Sequence, residues 1–577
     1  MRIGARDVLR RFLFPPRHHV AADNERASPA FDWTIAFDGT RTPVKTALFV
    51  LVCIVWTLPG LIGHEPWKGD EAATFGVVYH ILKTGEWLVP VLAGEVFLER
   101  PPLYYAVAAM FAKFFSFVLP VHDGARLASG FFNAITLLFT ALAGRSLYGE
   151  RYGRLAVIIL LGTLGLLLRL HEMISDTALF AGFAMSYYGL AIAVKAPMSG
   201  ALWFGLGVGM GFLARGLIAP ALLLPIAILL PICGRYWRAR AYTQFLTVAL
   251  FIAAPLVLAW PMVLLHRSPA LFNQWFYINN RDAWLAHMLS NFSEGPLYYL
   301  RILPWYTWPA LPLALWTLWR AGKTAWEHPE IKFPVVSVVA GYVVLSLGSD
   351  AREVYALPLL IPLATLAASG VDTLRRGAAS ALDWFGMMTF GVFSAILWLG
   401  WIALRLDMPR SLINLLRSYQ PGFEMPFKWF AFTVAFLLSL VYVATVTRSR
   451  RSSRRAIVNW TAGITIFWML GMTLWLPLID EGRSYRNTLA ELQRALPKDT
   501  NCVASRNLGD AQRALLDYYI GLITKRTESQ DGGECRVLLV QGVAGKEPDL
   551  SVLWTKIWEG NRPGDKVERL RLYRRDG

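Results

Sequence analysis

A chain of 577 residues that is 55% hydrophobic and only 17% charged, with a mean hydropathy of +0.41, is not a water-soluble globular protein. Its net charge of +17 comes as short basic clusters between apolar runs, not as one face or stripe, which sets nucleic-acid binding aside. The solvent for most of the chain is lipid.

Residues 1–45 carry Arg2, Arg6, Arg10 and Arg11 but no apolar core long enough for a secretory signal, so they read as an uncleaved cytoplasmic tail. Apolar stretches near the 20 or so residues that a span requires follow, the first from Thr46 to Gly63 and the next clear one from Gly124 to Ser146. Basic clusters at Arg145 to Arg154, Arg235 to Arg240, Arg320 to Lys323, Arg375 to Arg376 and Arg448 to Arg455 are assigned to the cytoplasm. That assignment demotes Pro101 to Pro120 to a helix lying in the outer interface, in keeping with Lys113 in its middle and its wealth of phenylalanine. Further spans are expected at 152–170, 177–196, 200–215, 218–234, 243–265, 301–320, 333–348, 354–371, 384–404, 427–446 and 457–478. The expected fold is thus a polytopic α-helical membrane domain over 46–478, of about thirteen transmembrane helices, with periplasmic loops 64–123 and 266–300. Arg405, Arg410 and Arg417 run against the charge rule by falling outside, offset in part by Asp407 and Glu424.

Residues 479–577 alternate polar and apolar segments and are expected to form a small soluble periplasmic α/β domain. Cys502-Val503-Ala504 reads as a strand, Gly509 to Leu522 as an amphipathic helix and Cys535 to Val540 as a second strand. A right-handed crossover makes the strands parallel and brings Cys502 and Cys535 to matching ends, where an oxidising compartment allows them to pair. Cys53 and Cys233 lie in apolar runs.

Ionisable groups at the edges of spans are costly, and here they gather on the outer side. The first outer loop holds Gly69-Asp70-Glu71-Ala72, Gly85 to Pro90, and Leu98-Glu99-Arg100-Pro101-Pro102-Leu103-Tyr104-Tyr105. The next outer turn holds His171 to Asp176, and Arg215-Gly216 and Asp350 to Tyr355 mark two further helix junctions. A carboxylate can take the proton of an attacking hydroxyl, and fixed guanidinium groups can hold a departing phosphate through their planar fork of donors. For any one of these residues a solvated loop charge or a helix-end ion pair is an equal alternative.

The run from Asp70-Glu71 through Glu86-Trp87-Leu88-Val89-Pro90 to Glu99-Arg100-Pro101-Pro102-Leu103-Tyr104-Tyr105 resembles the first periplasmic loop of bacterial lipid-linked-sugar glycosyltransferases of the GT-C class. The likeness is to aminoarabinose transferases that modify lipid A and to the wider protein-mannosyltransferase-like superfamily. It extends to Asp176, Arg215-Gly216, Pro296 to Tyr299, Pro304-Trp305 and Tyr355-Ala356-Leu357-Pro358, covering about residues 46 to 370. The resemblance implies inverting transfer from a polyprenyl-phosphate-linked sugar to a lipid or glycan acceptor at the periplasmic face of the bacterial inner membrane. It casts Asp70 as the leading catalytic carboxylate and Asp176 as the second, with Arg100, Arg215, Arg352, Tyr104, Tyr105 and Tyr355 around the donor, although for Tyr104 and Tyr105 a place at the lipid headgroup level is the commoner reading. Glu71 is expected to pair with a basic neighbour and position the loop, and His171 to support Asp176 or simply to pack at the interface. Arg126 is expected either to snorkel or to meet phosphate. Arg100 and Arg215 replace lysines frequent in the family. Some relatives bind a metal through the glutamate matching Glu99 and a histidine in the central outer loop. The matching stretch from Asn291 to Pro296 has no histidine and His287 is out of register, so no cofactor is assigned and a divalent metal at Glu99 stays open as a weak site. The alternative from another class is a polyprenyl-lipid or small-molecule transporter or flippase, although internal repeats are not evident.

Overall fold

The computed structural model describes residues 43–282, 294–347, 351–411, 413–414, 423–449, 452–498, 500, 502–528, 535–550 and 553–575. Most of the N-terminal tail, Asp350, His287 and residues 291–293 lie outside them. Among the described residues, eight helices are long and apolar enough to cross a membrane, with shorter apolar helices at Lys45–Thr57, Leu103–Phe115 and Ile218–Cys233. Every expected span overlaps a helix, eight of them helices long enough to cross, though three are broken, 457–478 running from Ser453–Thr473 into Leu476–Arg483. Residues 152–170 divide into Glu150–Leu161 and Leu164–Arg169, and 301–320 is covered by Glu294–Tyr306 and Ala310–Ala321.

Burial decides which helices form the centre. The Glu353–Thr373 span is 94% buried and the Trp429–Arg448 span only 11%, so the former is the hub and the latter faces lipid. The helices Asp176–Ile192 and Pro197–Arg215 run together along a glycine seam. A Cβ on Gly182 would stand 2.6 Å from the Gly207 carbonyl, so only glycine permits this approach.

Contacts sort the helix ends into two sets. At one end Arg154 bonds Thr46, Tyr148 bonds the Glu330 carbonyl, Lys332 bonds the Cys233 carbonyl, and Asp372 joins Tyr152 to Arg454. These are the neighbourhoods of the basic clusters. The opposite end carries the first outer loop, which folds into an amphipathic Asp70–Thr84 helix, a short hairpin pairing Val91–Leu92 with Glu95–Val96, and the Leu103–Phe115 helix. The last has 13 residues, about 20 Å of rise, shorter than a hydrocarbon core of about 30 Å, and shorter than the Pro43–Thr57 and Ile218–Cys233 helices, which are themselves below that length. It buries Tyr104, Tyr105, Ala108, Ala109 and Ala112 and exposes Met110 and Phe114, as an interfacial helix does.

The C-terminal region forms a five-stranded sheet in the order Lys525–Arg526, Val503–Arg506, Val537–Val543, Glu568–Arg575, Trp554–Gly560. The Val503 and Val537 strands are parallel with those two residues in register, joined through the Asp510–Ile520 helix, and the last two strands pair antiparallel. Cys502 and Cys535 form a disulfide closing 33 residues of chain. Loop-closure entropy for that length is about 3 to 4 kcal/mol, so Cys535→Ser is expected to lower the unfolding midpoint of this domain, read by proteolysis against temperature.

The sheet domain is clamped to the first outer loop. Lys68 bonds Glu568 at 2.7 Å, Glu65 bonds Arg486 at 2.6 Å and Tyr519 at 2.8 Å, and Arg513 meets Glu95 at 2.7 Å. The Asp480 carboxylate accepts from the Glu65 amide and the Trp67 indole.

Candidate active site

Helix ends build the site. Gly69, at φ +111°, turns the chain by a conformation that side chains avoid, and Asp70 and Glu71 occupy the first turn of the following helix, where the macrodipole favours acids. Asp176 begins another helix in the same way. Arg215 closes the Pro197–Arg215 helix at its negative end, and Gly216 at φ +64° breaks it. Arg100 follows the hairpin and is buried, and Pro101-Pro102 lead from it into the Leu103–Phe115 helix.

These residues converge. Asp70 Oδ2 lies 3.3 Å from Arg100 Nη2 and 3.8 Å from Arg352 Nη1, and Asp176 Oδ1 lies 3.0 Å from Arg215 Nε. The Arg215 guanidinium stacks 5.0 Å over the Tyr355 ring. Asp70 is 41% exposed at its side chain, whereas Asp176 and Arg100 are buried. The Arg215 approach is too oblique for a hydrogen bond. Both Asp176 oxygens, Arg215 Nε and Nη2, Arg100 Nε and the Tyr105 hydroxyl are therefore buried with no hydrogen-bond partner. Buried polar groups of this kind are receiving groups for a polar ligand. Burial pushes the Asp70 carboxyl up, but Arg100, Arg352 and Arg215 together hold it below the ordinary value, so it stands ionised.

Two expected site residues sit elsewhere. Tyr104 is wholly buried with its hydroxyl 2.6 Å from Ser129 Oγ, so it packs the loop and only its neighbour Tyr105 turns to the arginines. Successive helical side chains diverge by about 100°, which is why the pair divides. The His171 ring nitrogens face the carbonyls of Leu167 and Trp56 at 2.7 and 3.0 Å, and its ring lies between Trp56 and Trp468. It belongs to the packing and does not touch Asp176.

Glu71 does pair with a basic residue. Its Oε1 accepts from Arg126 Nε at 2.6 Å and its Oε2 from the Trp67 amide, while Arg126 also bonds Asp123 at 2.7 Å and the carbonyls of Leu61 and His64. Arg126 is therefore a buried strut, not a snorkelling or phosphate-binding cation. Glu99 is exposed and lines a small polar cavity with Arg513 and Arg526 of the sheet domain. No three His, Cys, Asp or Glu side chains among the described residues are grouped to hold a metal ion. One cluster escaped the sequence reading: Arg169 bonds Glu353 and, at 3.1 Å, Glu172, beside Arg352. Burial pushes the Glu172 carboxyl up to about 7 despite Arg169. Its only sequence signal was a charge beside each of two outer junctions.

With this geometry in place, resemblances to other proteins become informative. Residues 99–260 match the family described as dolichyl-phosphate-mannose-protein mannosyltransferase. The undecaprenyl phosphate-alpha-4-amino-4-deoxy-L-arabinose arabinosyl transferase of Serratia proteamaculans is 26% identical over 370 residues, 62% of this chain and 64% of that protein. The enzyme of the same name from Pseudomonas paraeruginosa is 26% identical over 443 residues, 74% of this chain and 75% of its own. The chain thus spans slightly under two thirds of the Serratia relative. Crystal structures of ArnT from Cupriavidus metallidurans, one bound to undecaprenyl phosphate and one apo, superpose with TM-scores of 0.65 and 0.64 at 16% and 17% identity. They cover 92% and 91% of this chain and 98% and 97% of theirs. The chain is a polytopic helical membrane protein with the GT-C architecture and a C-terminal sheet domain. Within that class it is similar, in sequence and in fold, to the bacterial aminoarabinose transferases.

Proposed function

We propose that the chain is an inverting membrane glycosyltransferase that moves a sugar from a polyprenyl-phosphate donor to a hydroxyl-bearing lipid or glycan, lipid A among them, at the periplasmic face of the inner membrane. The carrying observation is the buried, unsatisfied set of Arg100, Arg215, Asp176 and Tyr105 beside the partly exposed Asp70. Arginines in that state suit a phosphate dianion, which meets their planar donors and offsets their burial.

The acceptor oxygen forms a bond to the anomeric carbon while the bond from that carbon to the phosphate oxygen breaks. The electron pair leaves with the polyprenyl phosphate and the acceptor proton passes to the Asp70 carboxylate. Phosphate drawn to Arg100 and Arg352 weakens their hold on Asp70, so donor binding itself raises the proton affinity of the base. Asp176 pairs with Arg215 and the Tyr355 ring lies 5.0 Å from its guanidinium carbon, so both help to place that guanidinium. The two sets of helix ends, with basic clusters at one and the site at the other, support this direction in the membrane.

Arg100→Ala and Arg215→Ala are each expected to cost about 2 to 5 kcal/mol in kcat/KM for the lipid-linked donor, measured with purified protein and a radiolabelled sugar. Donor kinetics equal to wild type would reject these arginines as phosphate ligands. Failure of the purified wild-type protein to transfer sugar from any polyprenyl-phosphate donor would reject the enzyme reading in favour of transport.

A further inference from the structure

On the flank of the membrane domain, a groove of about 190 Å³ lies where four helices meet: Pro43–Thr57, Glu150–Leu161, Trp429–Arg448 and Ser453–Thr473. Val52, Ile158, Val441 and Val458 stand in its walls, one from each helix. It opens to lipid, since Val441 is exposed and the Trp429–Arg448 span, at 11%, is the least buried of the eight long ones. The threonines lining it spend their hydroxyls on main-chain carbonyls, Thr445 on Val441, Thr461 on Ile158 and Thr465 on Thr461, so the surface offered to an occupant is apolar. The exception is Tyr442, whose hydroxyl is buried with no hydrogen-bond partner among the described residues.

Each wall ends in a cation. Side chains three, four and about seven residues apart share a helix face, and on all four helices the residue so spaced toward the basic end is Lys or Arg. Lys45 continues the face of Val52, Arg154 that of Ile158, Arg448 that of Thr445, and Arg454 and Arg455 that of Val458. Hydrogen bonds place two of these across the mouth of the groove: Arg154 donates to Thr46 Oγ1 at 2.9 Å and Arg455 to the Val446 carbonyl at 3.0 Å, each bridging two of the helices. Asp372 pairs with Arg454 and Asp383 with Arg455, and the balance at the mouth stays positive.

We propose that this groove holds one anionic phospholipid of the leaflet at the basic end, an acyl chain between the helices and the phosphate among Arg154, Arg448 and Arg455. Arg448 lies about 9 Å along the helix from Tyr442, which sets the Tyr442 hydroxyl at the depth of the ester carbonyls below the phosphate. A zwitterionic phospholipid fills the groove equally but gains little from the cations. Polyprenyl phosphate has no ester for Tyr442, and the arginines assigned to its head, Arg100 and Arg215, stand at the opposite helix ends. The bound lipid fills the seam by which the least buried long span joins the bundle.

Native mass spectrometry of the purified full-length protein, titrated with phosphatidylglycerol and with phosphatidylcholine of the same chains, tests the assignment. One phosphatidylglycerol is expected to bind about tenfold more tightly than phosphatidylcholine, and Arg448→Glu to abolish that preference. Val441→Trp, at an exposed position in the wall, is expected to weaken both lipids by filling the groove. Arg235→Glu reverses an exposed charge of another basic cluster at the same end and is expected to change neither. Phosphatidylglycerol is expected to raise the unfolding midpoint of the wild type in detergent more than that of Arg448→Glu. Equal affinity for the two lipids, affinity unmoved by Val441→Trp, an Arg235→Glu effect as large as that of Arg448→Glu, or displacement of phosphatidylglycerol by polyprenyl phosphate would each overturn the proposal.

Discussion

Asp70→Asn is expected to lower sugar transfer by about three orders of magnitude or more while the protein folds, inserts and binds donor as before. The carboxylate is partly exposed and sits in the first helical turn, so its replacement by an isosteric amide opens no cavity and, although it removes the charge opposite buried Arg100, leaves an oxygen in place beside it. What vanishes is the site for the acceptor proton, because an amide oxygen has no useful basicity at neutral pH. The arginines around it remain, and phosphate binding is expected to strengthen slightly once a competing anion is removed. A lost kcat with an unchanged or lowered donor Kd is thus the signature, and full activity of the variant sinks the role. The sign of the pH dependence follows from the same cluster. Since Arg100, Arg352 and Arg215 hold the free carboxyl below its usual range, donor binding by the apoenzyme is insensitive to Asp70 above that range. With phosphate on the arginines the carboxyl recovers toward its ordinary value, so the acid limb of kcat lies at higher pH than that of kcat/KM.

The position of this carboxylate was legible in the sequence because charged residues at the ends of apolar helices are few and expensive. Asp70, Arg100, Asp176, Arg215 and Arg352 all carried that signal, and they gather as two neighbouring groups, Asp70 with Arg100 and Arg352, and Asp176 with Arg215. An interfacial place for the Pro101 to Pro120 stretch was expected from counting spans against basic clusters, an argument that needs no tertiary information, and the Leu103–Phe115 helix there is short with one buried face. Tyr104 and Tyr105 show where such reasoning stops, since adjacent aromatic residues look alike in sequence and only the phase of a helix tells the packed one from the one beside Arg100. Arg169 and Glu172 lie on one outer turn and Glu353 lies 184 residues beyond Arg169, so their association is a product of the fold. The clamp of the sheet domain is of the same kind. Lys68 and Glu568, or Glu65 and Arg486, have no spacing that marks them as partners.

Arg126→Ala is expected to have the largest effect on stability, about 3 to 5 kcal/mol, because it strands Glu71 and Asp123 in a buried place without their cation. The side chain is 0% exposed and spends its donors on five acceptors: two carboxylates and the carbonyls of Leu61, His64 and Glu65. It thereby ties residues 61–71 to the Val121–Tyr148 helix and fixes the turn that presents Asp70. Two accounts of this arginine differ in what lysine should do. Were the network a matter of charge alone, Arg126→Lys would restore most of the stability. A single ammonium cannot satisfy acceptors spread around a planar fork, so lysine is expected to recover less than half of the loss. Thermal unfolding of the purified variants in detergent decides between them. Activity adds a second reading: a loop released from its strut misplaces Asp70, so kcat should fall in Arg126→Lys more than donor affinity does, since Arg100, Arg215 and Arg352 are held by other elements. A lysine variant with wild-type stability and kcat would show that the strut acts through charge, and that the geometry of the guanidinium is incidental.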